Sequence, residues 1–585
     1  MALAKQQIDN CIHGHERCQS SASPAGPRLL PKRLVDCTDP ARPRLFSPTK
    51  EHSGYVALSY VWGEDQVHKT TTSNLSTYEH GITPSLLPAT IRDAIRLTHM
   101  LGFRALWVDS LCIIQDSDED KLHEIGRMHH IYRYAPLTII AASAERASEG
   151  FLYKRPPPAD DFAIPFICPP RPPIFQAGHR DAHPLTQSKV GQVYLSSVQR
   201  CESFRSMFGR MATRSWCLQE YLMSPRSLIF TPKAVLFRCC TAMVDVQVGH
   251  SPDISTPSPR LPDALFLAIP PTVDSGTQEW KDIHRAWNEI VQDYSERTAG
   301  DELDKLVACA AIAESFHHVL DSDYLAGLWR SDALLTDLLW SVRQDRLCTR
   351  PTVYRAPSWS WASVEGSIEH FPPELTDPVK GFRHVALAEV VDCRVTLEDP
   401  MVRFGRVRDG TLVLRGTPIP CCGKSAKQNK LASARSWNVP VPSLEEARCQ
   451  QWGFGDSHSD EEDGLHSLKP TTLTTVDVHV DCDAEELPGR LWVVPFVRSE
   501  FFDLKTVLHN GMVLELAPPS NDPRFECENR RFRRIGQFQD LDFPFESDEQ
   551  YYRGTKRAAL EHLWNPLTRA VQNRDCPYQM DIVIV

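Results

Sequence analysis

Apolar residues are arranged in two ways along the first third of this chain, in short unbroken runs and at helical spacing. Tyr55 to Trp62, YVALSYVW, is a run of β-forming residues that stops at Gly63, which predicts a strand and then a turn. The stretch LPATIRDAIRLTHMLG switches to helical spacing. Ile91, Ala94, Ile95, Thr98 and Leu101 share one face, Pro88 suits the first turn and Gly102 the stop. Phe103 to Asp109, FRALWVD, reads as a buried strand. In SDEDKLHEIGRMHHIYRYA, Ser117 can cap a helix with acids in its first turn and Leu122, Ile125, Met128 and Tyr132 on one face. Pro136 to Ser143, PLTIIAAS, is a third strand. The order β-α-β-α-β predicts an α/β fold with a parallel sheet and right-handed crossovers.

The pattern then loosens. RPPPAD and CPPRPP mark loops within an insert at about 150–210, and TRSWCLQEYL after it reads as a helix capped by Thr213 or Ser215. RSLIF and AVLFRCC predict two strands joined through Thr231, Pro232 and Lys233. A linker at about 246–278 leads to a helical region at about 279–366, with Trp287, Ile290, Val291 and Tyr294 on one face. From about 367 to 585 the runs are short and β-like, including LWVVPFV, GMVLELA and RFRRIGQFQ. A polar insert at about 424–470 carries GDSHSDEEDG and has too little apolar surface to fold alone, so disorder is expected there. The expected organisation is a lead-in to about residue 50, an α/β domain over about 51–245, the linker, the helical region and a β-rich C-terminal domain.

Composition narrows the function classes. The 585 residues are 42% hydrophobic and 24% charged, ordinary for a soluble globular protein. A net charge of −11 argues against nucleic acid as partner. No run has the length of a membrane span, and MALAKQQIDNCIHGHERC has no apolar core for a secretory signal, so a cytoplasmic location with reduced thiols is expected for the 18 cysteines. Cys11, His13, His15 and Cys18 are zinc-ligand types without the paired CxxC spacing. A zinc cluster and an unmetallated surface segment are both open, and no metal ligand is assigned.

Three blocks together resemble the fungal heterokaryon-incompatibility (HET) domain family: YVALSYVWGED, the long run from LPATIRDAIRL to PLTIIAAS, and RSWCLQEYLMSPRSLIF. LPKRLVD, YSERTAGDELDKLVACAAIA, YLAGLW and APSWSWAS are similar to regions that accompany this domain. The resemblance implies fungal non-self recognition ending in programmed cell death, with self-association or another incompatibility protein as partner.

The HET domain in turn distantly resembles TIR domains, which have a flavodoxin-like sheet. Leu58-Ser59-Tyr60 is similar to the turn that ends their first strand, and Trp216-Cys217-Leu218-Gln219-Glu220 to their Trp-Cys-x-x-Glu helix. Some TIR domains cleave NAD with that Glu, so the resemblance makes Glu220 a catalytic candidate and NAD a candidate substrate; no cofactor is otherwise implied. The insert at about 150–210, which a compact TIR domain lacks, is a departure. The chemistry is coherent: a fixed carboxylate stabilises an oxocarbenium-like ribose, and nicotinamide leaves neutral without needing an acid.

Ligands of doubly wound sheets sit beyond the carboxyl ends of the strands. That puts Ser59, Tyr60, Trp62, Gly63 and Asp109, with Trp216, beside the substrate cleft. The competing readings are structural. Glu220 can pair with Arg214 or Arg226, Trp62 and Trp216 can be packing residues, and Asp109 can cap the following turn. Cys112 and Cys217 have no assignable His partner, and His123, His129 and His130 have no accompanying ligand set.

Overall fold

The computed structural model describes residues 2–20, 30–49, 54–155, 162–168, 189–195, 203–247, 249, 251, 259–267, 269–343, 348–371, 382–428, 436–441, 474–482, 487–501, 506–518, 531–542 and 580–585. They form two compact units. The first comprises 1–212 and 223–258, the second 213–222 and 259–585.

The first unit opens with helices α1 (Ala2–Gly14) and α2 (Glu16–Ser20). Sequence reading did not foresee them, because α1 has only Ala4, Ile8 and Cys11 as a buried stripe. Strands β1 (Leu34–Asp36) and β2 (Arg44–Phe46) follow, then β3 (Tyr55–Ser59), α3 (Leu75–His80) and α4 (Ala89–Leu101). β4 (Ala105–Trp107), α5 (Asp109–Cys112), α6 (Asp118–Ile125), α7 (Met128–Tyr134) and β5 (Leu137–Ile140) complete the alternating part. The expected insert contains a hairpin of β6 (Phe162–Cys168) and β7 (Lys189–Leu195). After α8 (Phe204–Phe208) and α9 (Ser215–Met223) come β8 (Arg226–Phe230), β9 (Val235–Cys239) and β10 (Met243–Asp245).

Eight of these strands make one mixed sheet in the order β10-β9-β8-β5-β3-β4-β1-β2. The four central strands, β8, β5, β3 and β4, are parallel; both edges are antiparallel. β3 and β5 are buried at every position, as expected for strands covered on both faces. Gly102 ends α4 at φ +90°, and Ser117 caps α6 by accepting the Asp120 amide.

One expected helix differs. The run from Ser117 to Tyr134 breaks around Gly126 and Arg127 into α6 and α7, and Leu122 is 72% exposed. Its acids turn inward instead. Asp120 pairs with Arg33 and Lys32 and accepts the Ile114 amide at 2.9 Å. Burial raises the Asp120 carboxyl, but Arg33, the Ile114 amide and Lys32 outweigh it and hold it below its ordinary value.

α9 itself, as far as Leu222, belongs to the second unit, which continues with α10 (Gln278–Ser295) and α11 (Ala310–Leu320). Short hairpins follow, β11 (Tyr324–Leu325) with β12 (Leu328–Trp329), and β13 (Ser341–Val342) with β14 (Ile368–Glu369), around the short helix α12 (Leu334–Asp337). Tryptophans fill this core: Trp287, Trp329, Trp340, Trp359 and Trp361 are fully buried. Gly327, at φ +104°, makes room for them. A Cβ there would lie 2.4 Å from Trp361 Nε1, whose N–H donates to the Gly327 carbonyl at 3.0 Å.

The rest is β-rich. β15 (Phe382–Ala386), β16 (Glu389–Leu397), β17 (Val407–Gly416), β18 (Ile419–Cys422), β19 (Lys427–Gln428), β20 (Ser436–Val441), β21 (Thr474–Val480), β22 (Arg490–Phe501), β23 (Thr506–Leu516), β24 (Arg531–Asp542) and β25 (Met580–Ile584) form one eleven-stranded sheet. The stretch expected to be a disordered insert thus contains β20, whose Trp437 and Val439 join the core with Val476, Val478 and Phe538. Trp437 and Val439, two residues apart, turn to the same face, and tertiary burial recruits the strand. GDSHSDEEDG lies outside the described residues.

Candidate functional site

β3 has β4 on one side and β5 on the other, so the connection from β3 to β4 and the one from β4 past β3 to β5 run in opposite directions, the topology that puts a crevice at the strands' carboxyl ends. Five sequence-predicted residues gather there. Ser59 ends β3, is 1% exposed, and its carbonyl accepts the Ala141 amide at 3.0 Å. Tyr60 is buried and its hydroxyl donates to Ser110 Oγ at 2.9 Å. Trp62 and Asp109 are half-buried and joined: indole Nε1 donates to Asp109 Oδ2 at 2.8 Å. Asp109 Oδ1 also accepts the Ser110 amide at 2.6 Å, so the carboxylate orders the turn that starts α5.

Gly63 faces the loop that follows β5. Its φ is +68°, and a Cβ on it would lie 2.5 Å from the Glu145 carbonyl oxygen and 2.9 Å from Arg146 Cα. The two loops are tied by the Ala147 amide donating to the Trp62 carbonyl at 3.0 Å and the Ser148 amide donating to Glu64 at 2.8 Å. Gly63 therefore permits close approach between backbones of this chain.

Sequence reasoning missed Ser143, just past β5. Its hydroxyl is buried and has no hydrogen-bond partner among the described residues, while its amide donates to the Phe230 carbonyl at 2.7 Å. The rule that pointed to the ends of β3 and β4 applies equally to β5 and would have found it.

Glu220 and Trp216 lie on α9, in the segment that belongs to the second unit. Glu220 is 7% exposed, and Trp216 is half-buried. The start of α9 is held by the segment YSERTAGDELDKL. The Ser215 amide donates to the Thr298 carbonyl at 3.0 Å, the Thr298 amide returns to the Thr213 carbonyl at 2.7 Å, and Arg297 Nη1 reaches the Arg214 carbonyl at 3.3 Å. That segment is itself fixed by buried charge. Arg297 pairs with Asp293 at 2.8 Å, and Lys305 donates to the Ser295 carbonyl at 3.0 Å and to Glu365 at 3.3 Å. Burial lowers Lys305 to about 8. Arg226, one pairing candidate for Glu220, directs Nε to Cys11 Sγ at 3.2 Å and Nη2 to the Cys18 carbonyl at 3.1 Å.

No helix among the described residues is long and apolar enough to cross a membrane. No solved structure matches the chain. A curated relative, "Heterokaryon incompatibility protein 6, OR allele" of Neurospora crassa, is 29% identical over 122 residues, which cover 19% of this chain and 18% of that protein. The family described as "Heterokaryon incompatibility protein (HET)" matches residues 55–220, from the first strand of the parallel core to the Glu of α9. This chain is a HET domain-containing protein.

Proposed function

We propose that this chain is a fungal incompatibility protein whose HET domain is a TIR-like signalling module that triggers cell death on encounter with non-self. The observation that carries the reading is the family match over the parallel core. Numbered by appearance, its strands β4-β3-β5-β8 stand in the order 2-1-3-4, which supports a flavodoxin-like and hence TIR-like arrangement. The relative's name supports the incompatibility role. The partner is a second copy or another incompatibility protein, met in the cytoplasm. Inducible expression in a filamentous fungus, scored by vital-dye uptake during hyphal fusion, tests it. Death is expected with the wild type and lost with Ile139→Asp, which puts a charge into fully buried β5. Full viability of hyphae expressing the wild type across fusion partners would sink the proposal.

A second reading, NAD glycohydrolase activity through Glu220, is favoured by one observation. Glu220 is a carboxylate withdrawn from water, beside Gln219, whose Oε1 has no hydrogen-bond partner among the described residues. Such a carboxylate could stabilise positive charge developing on the ribose. Nicotinamide release from NAD by the full chain, at low and high concentration, is measured with Glu220→Ala alongside. Release by the wild type alone supports an active site. Absence of release from folded, assembled protein assigns Glu220 a structural role and leaves the signalling reading standing.

A further inference from the structure

Four metal-ligand atoms converge far from the crevice. Cys11, in the last turn of α1, His15, between α1 and α2, and Cys18, on α2, meet Cys239, the last residue of β9. Their ligand atoms all lie within 4.8 Å of one another. Cys239 Sγ is 3.4 Å from His15 Nδ1, and Cys18 Sγ is 3.8 Å from the same nitrogen. Tetrahedral zinc with Zn–S of about 2.3 Å and Zn–N of about 2.0–2.1 Å sets sulfur–nitrogen edges of roughly 3.6 Å and sulfur–sulfur edges of roughly 3.8 Å. The two observed sulfur–nitrogen separations bracket the first, and the 4.8 Å bound on the whole set places the three sulfurs within about 1 Å of the second.

The surroundings suit thiolates rather than thiols. Arg226 Nε donates to Cys11 Sγ at 3.2 Å, Thr241 Oγ1 lies 3.4 Å from Cys18 Sγ, and the Thr241 and Ala242 amides both donate to Cys239 Sγ at 3.4 Å. Hydrogen-bond donors aimed at ligand sulfurs are what a second shell of a metal site supplies. Three thiolates and zinc carry one net negative charge, which the buried guanidinium of Arg226 offsets. His13, an equal candidate in sequence, is excluded: it is exposed and its Nδ1 bonds the Asp9 carbonyl at 2.9 Å.

We propose that Cys11, His15, Cys18 and Cys239 bind one zinc ion as a closed structural site, which clips the N-terminal helices to the β9–β10 turn. On binding, the three thiols each release a proton to solvent and His15 coordinates through neutral Nδ1. All four positions come from protein, so the site has no open place for catalysis.

The test uses the full chain purified under reducing conditions. Elemental analysis is expected to find about one zinc per chain, retained in His13→Ala and lost in Cys18→Ser and Cys239→Ser. Because the serine variants can lose their fold, wild-type protein is also stripped and reloaded with cobalt. A thiolate-to-cobalt charge-transfer band and tetrahedral d–d bands are expected. Wild-type protein without bound zinc and without those bands, zinc retained by folded Cys239→Ser, or a disulfide among the three cysteines in freshly purified protein would each overturn the proposal.

Discussion

Replacing Gly63 with alanine separates two costs that the structure predicts at this turn. At φ +68°, any residue with a Cβ pays about 1–2 kcal/mol for left-handed backbone. The Cβ would also lie 2.5 Å from the Glu145 carbonyl oxygen, where ordinary contact begins near 3.4 Å, so the loop after β5 must retreat by roughly 1 Å. That loop is pinned by Ala147 to Trp62, Ser148 to Glu64, and the Thr90 amide to the Ala147 carbonyl at 2.9 Å. Weakening two such bonds adds about 0.5–1.5 kcal/mol each, for a total of about 2–5 kcal/mol. Gly102→Ala isolates the first cost, because Gly102 has φ +90° but open space around its missing Cβ. Since two units need not unfold together, hydrogen exchange at the Ala147 and Ser148 amides is the local readout, with urea unfolding beside it. Both amides should lose protection in Gly63→Ala and keep it in Gly102→Ala. Equal stability losses in the two variants, with exchange at Ala147 unchanged, would refute the steric argument.

Arg534 is fully buried, paired with Asp481 at 2.9 Å, and lies over the Trp340 ring at 3.6 Å. Arg534→Met strands the Asp481 carboxylate and should cost about 3 kcal/mol, the low end of the range for broken buried pairs, because Arg350 stays 3.7 Å from it. Adding Asp481→Asn should restore part of that in urea unfolding, and a loss under about 1 kcal/mol contradicts the reasoning. Burial lowers His129 and His509 to about 3 and His370 to about 4. The unfolded chain therefore binds more protons than the folded one below pH of about 6.5, so stability is full above that value and falls as pH drops toward 3–4. Thermal melts at pH 7.5 and 5 should show the drop, and His509→Gln should reduce it; a melting point that rises on acidification would exclude this account.

The sequence by itself determined the elements whose burial is local and periodic. β3, α4, β4 and β5 are legible because unbroken apolar runs mark the strands, a period of 3.6 marks the helix, and Gly63 and Gly102 punctuate them. Ser59, Tyr60, Trp62, Gly63 and Asp109 were legible as a group because a parallel sheet sends the residues after its strands to one end. Tertiary structure decided what depends on partners distant in the chain. Leu122 lost its place inside to Asp120 because Arg33, 87 residues away, makes that carboxylate cheap to bury. The start of α9 is fixed by Thr298 and Arg297, distant in the chain, which take its first backbone groups. Cys11, His15 and Cys18 acquired their fourth neighbour, Cys239, only when α1 came to lie by β9. Periodicity records which face of an element is apolar, whereas a coordination or ion-pair partner is fixed by the path of the chain in space.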